Sequence, residues 1–91
     1  MSRTIQQHIL DLGQTTIQVS ASCVNVGVKS DQGNLVLFVI LDPDDSANEQ
    51  RIYETYVNGQ IIPDDPGDYV GSAQLSVNGI FYHVYDITRL Q

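Results

Sequence analysis

Residues 35–41, Leu-Val-Leu-Phe-Val-Ile-Leu, are apolar at every position and bounded on both sides by turn residues. Seven residues is strand length rather than helix length, and the β-branched and aromatic content suits a strand. A half-exposed strand alternates in polarity. This one does not, so both of its faces need cover. A chain of 91 residues makes one small domain with one modest core, which leaves little material for a second covering layer. A second subunit is the expected cover. The strand therefore predicts a homo-oligomer, with Leu35, Leu37, Val39 and Leu41 as its candidate interface.

The rest of the chain follows period two between turn signals. Residues 4–10 read as a strand with Ile5 and Ile9 on one face, and residues 14–19 as another carrying Ile17 and Val19. Residues 23–30 alternate, which predicts Val24, Val26 and Val28 facing in and Asn25, Gly27 and Lys29 facing out. Asp31-Gln32-Gly33-Asn34 is a hairpin turn, and Asp42-Pro43 ends the apolar strand. Ser46-Ala47-Asn48-Glu49 has capping-box spacing and predicts one helical turn. A strand at 50–57 leads to Asn58-Gly59, which predicts a hairpin with a short return strand at 60–62. Two prolines stiffen the loop at 63–68, and two further strands, 69–77 and 80–87, flank Asn78-Gly79. Together these give one all-β domain over residues 1–91. It is a small barrel or sandwich of about seven to eight short antiparallel strands joined by hairpins.

Charge is unevenly placed. The formal net charge is -7. Asp42, Asp44, Asp45, Glu49, Glu54, Asp64, Asp65 and Asp68 face only Arg51 in their stretch, while acids and bases balance elsewhere. Such a balance argues against duplex nucleic acid or an anionic membrane as direct partner. Tyr53, Tyr56 and Tyr69 lie in or beside the same stretch. Clustered carboxylates steer a cationic surface, and tyrosine supplies amphipathic contact area. Asp42, Asp44, Asp45, Tyr53, Tyr56, Asp64, Asp65, Asp68 and Tyr69 are therefore the candidate binding residues, facing a protein with a basic surface.

Motifs for catalysis do not emerge. There is no phosphate-binding glycine loop, no His-Glu-x-x-His and no Gly-x-Ser-x-Gly. The single cysteine, Cys23, excludes an intrachain disulfide and opens a valine-rich strand, where cysteine acts as a small buried hydrophobe. His8 and His83 lie near the two chain ends, and pairing of terminal strands would bring them together with Asp86. A closed set of three or four metal ligands does not follow from the spacing. His83, set among Phe81, Tyr82, Val84 and Tyr85, is expected to be a satisfied half-buried side chain. Asp42-x-Asp44-x-Ser46-x-Asn48 begins like a calcium loop, but Ala47 stands where glycine is needed and Tyr53 where a glutamate is needed. The expectation is a binding protein rather than an enzyme, without metal or cofactor.

Several stretches resemble a family of short, mostly phage-encoded proteins known as a domain of unknown function. They are Thr4-Ile5, Gln14-Thr15-Thr16-Ile17, Leu41-Asp42-Pro43, Ile62-Pro63-Asp64-Asp65-Pro66-Gly67 with Tyr69-Val70-Gly71-Ser72, and Tyr82-His83-Val84-Tyr85-Asp86. Phe38 stands where that family tends to carry tryptophan, and Val57-Asn58-Gly59 where it tends to carry Gly-Thr-Gly. The resemblance implies a phage origin and brings no established activity or binding residues. On that footing the expected role is counter-defence, by stoichiometric binding of a basic host protein. The alternatives are an oligomer that sequesters a small nucleotide signal between subunits, and a virion decoration protein. The start, Met1-Ser2-Arg3-Thr4, has no apolar signal core, so the expected location is the host cytoplasm or the virion.

Overall fold

The structure, a computed structural model, describes residues 3–91. The part of the signal-core reading that falls on Met1 and Ser2 lies outside them. Seven strands follow in order: β1 (Thr4–Leu10), β2 (Gln14–Ser20), β3 (Val24–Asp31), β4 (Asn34–Leu41), β5 (Asn48–Val57), β6 (Asp68–Gln74) and β7 (Phe81–Asp86). A 3-10 turn, Thr88–Leu90, follows them. They form a three-stranded sheet, β1-β4-β3, and a four-stranded sheet, β2-β5-β7-β6, in which all pairings are antiparallel. The two sheets do not close into a barrel, so the architecture is a sandwich.

One core fills the space between them. Leu10, Leu35, Leu37, Val39 and Leu41 from the smaller sheet meet Val19, Tyr53, Tyr82 and Val84 from the larger one. At one side the sheets draw together. Strand β3 crosses the larger sheet: the Cys23 carbonyl reaches β5, Asn25 reaches β7, and Val28 lies against Gly71 of β6. A Cβ at Gly71 would sit 3.0 Å from the Val28 amide nitrogen, tighter than ordinary contact, so glycine eases this approach. Both strands bulge here, β3 between Asn25 and Gly27 and β6 between Tyr69 and Gly71. The bulges twist each strand out of regular register where the two sheets meet. On the opposite side β1 and β2 are sheet edges, joined by the turn at 11–13.

Several expectations need correction. Leu35, Leu37, Val39 and Leu41 are buried in the chain's own core, so they are not open to a second subunit. Its opposite face carries Val36, Phe38 and Ile40, which pair laterally with Ile9, Gln7 and Ile5 of β1. The β3 faces are also reversed at its start. Val24 and Val26 are 51% and 52% exposed, and Asn25 points inward. The bulge adds one residue and returns Val28 to the inside, so strict alternation across Val26 fails. Ile5 and Ile9 do share a face, but it is the outer one.

Ser46-Ala47-Asn48-Glu49 forms no helical turn, because β5 already begins at Asn48 to pair with Ser20. Asn58-Gly59 does turn, closed by Gln60 N–H donating to the Val57 carbonyl at 3.1 Å, but residues 60–62 form no return strand. The β7 strand takes that place beside β5. The terminal strands lie in different sheets, so His8 and His83 are not neighbours. His8 lies opposite Leu37, and its Nε2 is buried without a hydrogen-bond partner. The Asp31–Asn34 hairpin closes as expected, with Gln32 and Gly33 both at positive φ, the geometry of a type I′ turn.

Candidate functional site

The two acidic loops lie at the same end of the four-stranded sheet, where β5 and β6 begin and β2 and β7 end. They occupy opposite flanks of it. In the first loop, Asp42 Oδ1 accepts from the Asp44 amide at 2.9 Å. Asp45 Oδ1 accepts from the Ala47 amide at 3.0 Å, and its Oδ2 from the Ser22 amide at 3.3 Å. These bonds make Asx turns and tie the loop to the β2–β3 connection. They also hold the Asp45 carboxyl below the usual range, the Ala47 amide first and Ser22 next. A shallow polar depression of about 280 Å³, lined by Gln6, Gln18, Ser20, Asp42, Asp45 and Asn48, opens beside it.

In the second loop, Asp65 Oδ1 accepts from the Gly67 amide at 3.1 Å. Arg89, from the C-terminal turn, donates to both Asp65 oxygens at 2.9 and 2.8 Å and to Asp68 at 3.0 Å. The Arg89 hydrogen bonds, followed by that of Gly67, hold the Asp65 carboxyl below the usual range. A base distant in sequence is thus folded back onto this loop and offsets part of its charge. Asp44 and Asp64 are exposed, and among the described residues no hydrogen bond engages their carboxylates.

The three candidate tyrosines separate. Tyr53 is fully buried and leaves the surface altogether, and burial pushes its phenol far above the usual range. Tyr56 and Tyr69 remain on the outer face of the four-stranded sheet. Between them stands Tyr85, which the sequence reading had not placed in the site. Its ring meets Tyr56 edge-on at 5.9 Å and Tyr69 edge-on at 5.4 Å. Lateral register puts Tyr85 beside both Glu54 and Tyr69, information that only the pairing supplies.

On the same face runs a hydrogen-bonded chain. Ser72 Oγ lies 2.6 Å from Tyr69 Oη and 2.6 Å from His83 Nδ1, and His83 Nε2 lies 2.5 Å from Asn58 Oδ1. With Asn58 Oδ1 accepting from Nε2–H, Nδ1 is left to accept from the serine hydroxyl. This is a serine-histidine relay in outline, laid along a sheet face, and neither of the two hollows described among residues 3–91 is lined by its members. Its evident work is to tie β6, β7 and the Asn58-Gly59 turn together.

A second network was missed by sequence reasoning. Asp86 Oδ1 accepts from the Thr88 amide at 3.0 Å and the Thr88 hydroxyl at 2.6 Å, and its Oδ2 accepts from Asn25 Nδ2 at 2.9 Å. Tyr53 Oη donates to Asn25 Oδ1 at 2.7 Å. Arg51 donates to Glu49 and to the Cys23 carbonyl, with a guanidinium nitrogen 3.6 Å from Asp86. Burial pushes the Asp86 carboxyl up, but the Thr88 and Asn25 hydrogen bonds and the Arg51 charge outweigh it, leaving the group below the usual range. Burial raises the Cys23 thiol, which removes it further from thiolate chemistry. The one signal available in the sequence was Asn25, a polar residue inside a valine run. Among the described residues no three histidine, cysteine or acidic side chains converge as a metal site.

The family described as "Domain of unknown function (DUF7352)" matches the chain across residues 1–91. The chain belongs to that family. No curated protein and no solved structure matches it. The DUF7352 description assigns no chemistry, so the geometry above carries the functional reading.

Proposed function

We propose that this DUF7352 protein is a non-catalytic binding module whose acidic end takes a cationic protein surface stoichiometrically. The observation that carries the reading is the placement of both acidic loops at one end of the larger sheet, each fixed by hydrogen bonds to its own carboxylates. Loops already ordered lose less entropy when a partner docks. In a phage-encoded protein, such chemistry suits counter-defence by occupying the basic groove of a host nucleic-acid-binding effector. Sequestering a nucleotide is less well supported. Arg51 is engaged inside the sandwich and Arg89 is engaged by Asp65 and Asp68, so two of the four bases are already committed.

The test uses an arginine-rich peptide as the cationic probe. An Asp44→Asn/Asp64→Asn variant removes two carboxylates that hold no turn. Asp11→Asn/Asp31→Asn is its charge-matched control outside the acidic stretch. The loop variant is expected to bind more weakly than the control at low salt, and the difference should shrink as ionic strength rises. Equal loss in the two variants would show that net charge alone, not the acidic end, attracts the probe.

A further inference from the structure

The outer face of the three-stranded sheet is apolar and uncovered. Ile5 and Ile9 are 67% and 62% exposed, and Val24 and Val26 lie about half exposed across β4 from them. Phe38 and Ile40 sit between, half-buried. The three strands hold one base, Lys29, and one acid, Asp31, so this face is neutral on a chain of net charge -7. Over Phe38 lies a shallow hollow of about 300 Å³, floored at Gly27 and walled by Ile5, Val26 and Lys29.

Gly27 sits at the β3 bulge and opens this hollow. A Cβ there would meet nothing within 4 Å, and its φ lies outside the left-handed region. Gly71 differs, because a side chain there would press on the close Val28 backbone. The bulge accounts for the glycine, and its missing side chain leaves the Phe38 ring open to an outside surface.

We propose that the occupant is a second copy of this chain, packed face to face about a two-fold axis. The exposed isoleucines of one β1 then oppose the Gly27 hollow of the other copy, and the reverse. An isologous interface requires that self-complementarity of ridge and hollow. Charge favours the same choice, since the neutral face is where two strongly acidic molecules meet with least repulsion. Three strands about 4.8 Å apart and seven residues long give a footprint of roughly 350 Å² per copy. A standard stable interface takes about 800 Å² per partner, so the dimer is of the weak, concentration-dependent class.

Sedimentation analysis from about 10 µM to 1 mM tests this. Wild type is expected to pass from monomer toward dimer across that range. Ile9→Lys should weaken the dimer at least tenfold. Gly27→Val should do the same while keeping or raising the melting temperature, because it fills open space and favours the strand. Ile61→Lys, at an exposed position outside this sheet, should dimerise as wild type does. A wild type that stays monomeric at 1 mM overturns the proposal and leaves a different protein as occupant. Gly27→Val dimerising like wild type overturns the face-to-face packing.

Discussion

The two sheets share a core and differ in what they show to solvent. In the four-stranded sheet β2, β5 and β7 alternate: Thr15, Val19, Tyr53, Thr55, Tyr82 and Val84 are buried, while Gln14, Gln18 and Phe81 are exposed and Glu54, Tyr56, His83 and Tyr85 partly so. Its outer side chains satisfy one another through the tyrosine contacts and the Ser72–His83–Asn58 chain. The three-stranded sheet breaks alternation and is apolar on both sides. The lesson is that a surface satisfied within the chain registers in stability, whereas one left unsatisfied registers in association. Perturbations of the two should therefore separate cleanly.

The largest effect is expected where the sheets are joined. Asp86→Ala leaves Asn25, Thr88 and Arg51 without their shared acceptor in a mostly buried site. The cost is about 3 kcal/mol, or roughly 12–24 °C in melting temperature, measurable by calorimetry. Both sheets should melt in one transition, since a common core unites them. The contribution of this carboxylate depends on acid. Its folded-state value is depressed, so the stabilisation is complete above the unfolded value of about 3.9 and is lost as pH falls through the folded value. The gap between wild type and Asp86→Asn should accordingly be widest near neutral pH and narrow below about pH 4.

Tyr53→Phe is next. It strips the donor from half-buried Asn25 Oδ1 and should cost about 1–2 kcal/mol in denaturant titration. His83→Ala, on the outer face of the larger sheet, should cost about 1 kcal/mol through lost ties to Ser72 and Asn58, with dimerisation unchanged. The smallest change in stability is expected for Ile9→Thr, within about 0.5 kcal/mol, although this variant should weaken the dimer. If His83→Ala altered association, or Ile9→Thr altered only melting, the separation of the two faces would fail.

The strands were legible in the sequence because period two and the Gly33 and Gly79 turns mark them locally. The clustering of acids was also legible, since it is a property of order along the chain. The direction each strand faces was not. A single bulge near Val26 reverses the inward set of β3, and no residue pattern announces it. The run at 35–41 is apolar on both faces, and the structure shows one of them packed into the chain's own core. It gave no means of telling which face the chain's own core would take. The Asp86 network was hidden for a related reason: its members come from β3, β5 and β7, and only the crossing of β3 over the larger sheet unites them.

The most direct measurement is an NMR dilution series of the wild-type protein, from about 1 mM to 20 µM, with shifts followed residue by residue. Concentration-dependent shifts are expected at Ile5, Ile9, Val24, Val26 and Phe38, with Tyr56, Tyr69, Tyr85 and the acidic loops unmoved. Shifts concentrated on the four-stranded sheet, or none on the three-stranded one, would contradict the assignment of self-association to the apolar face.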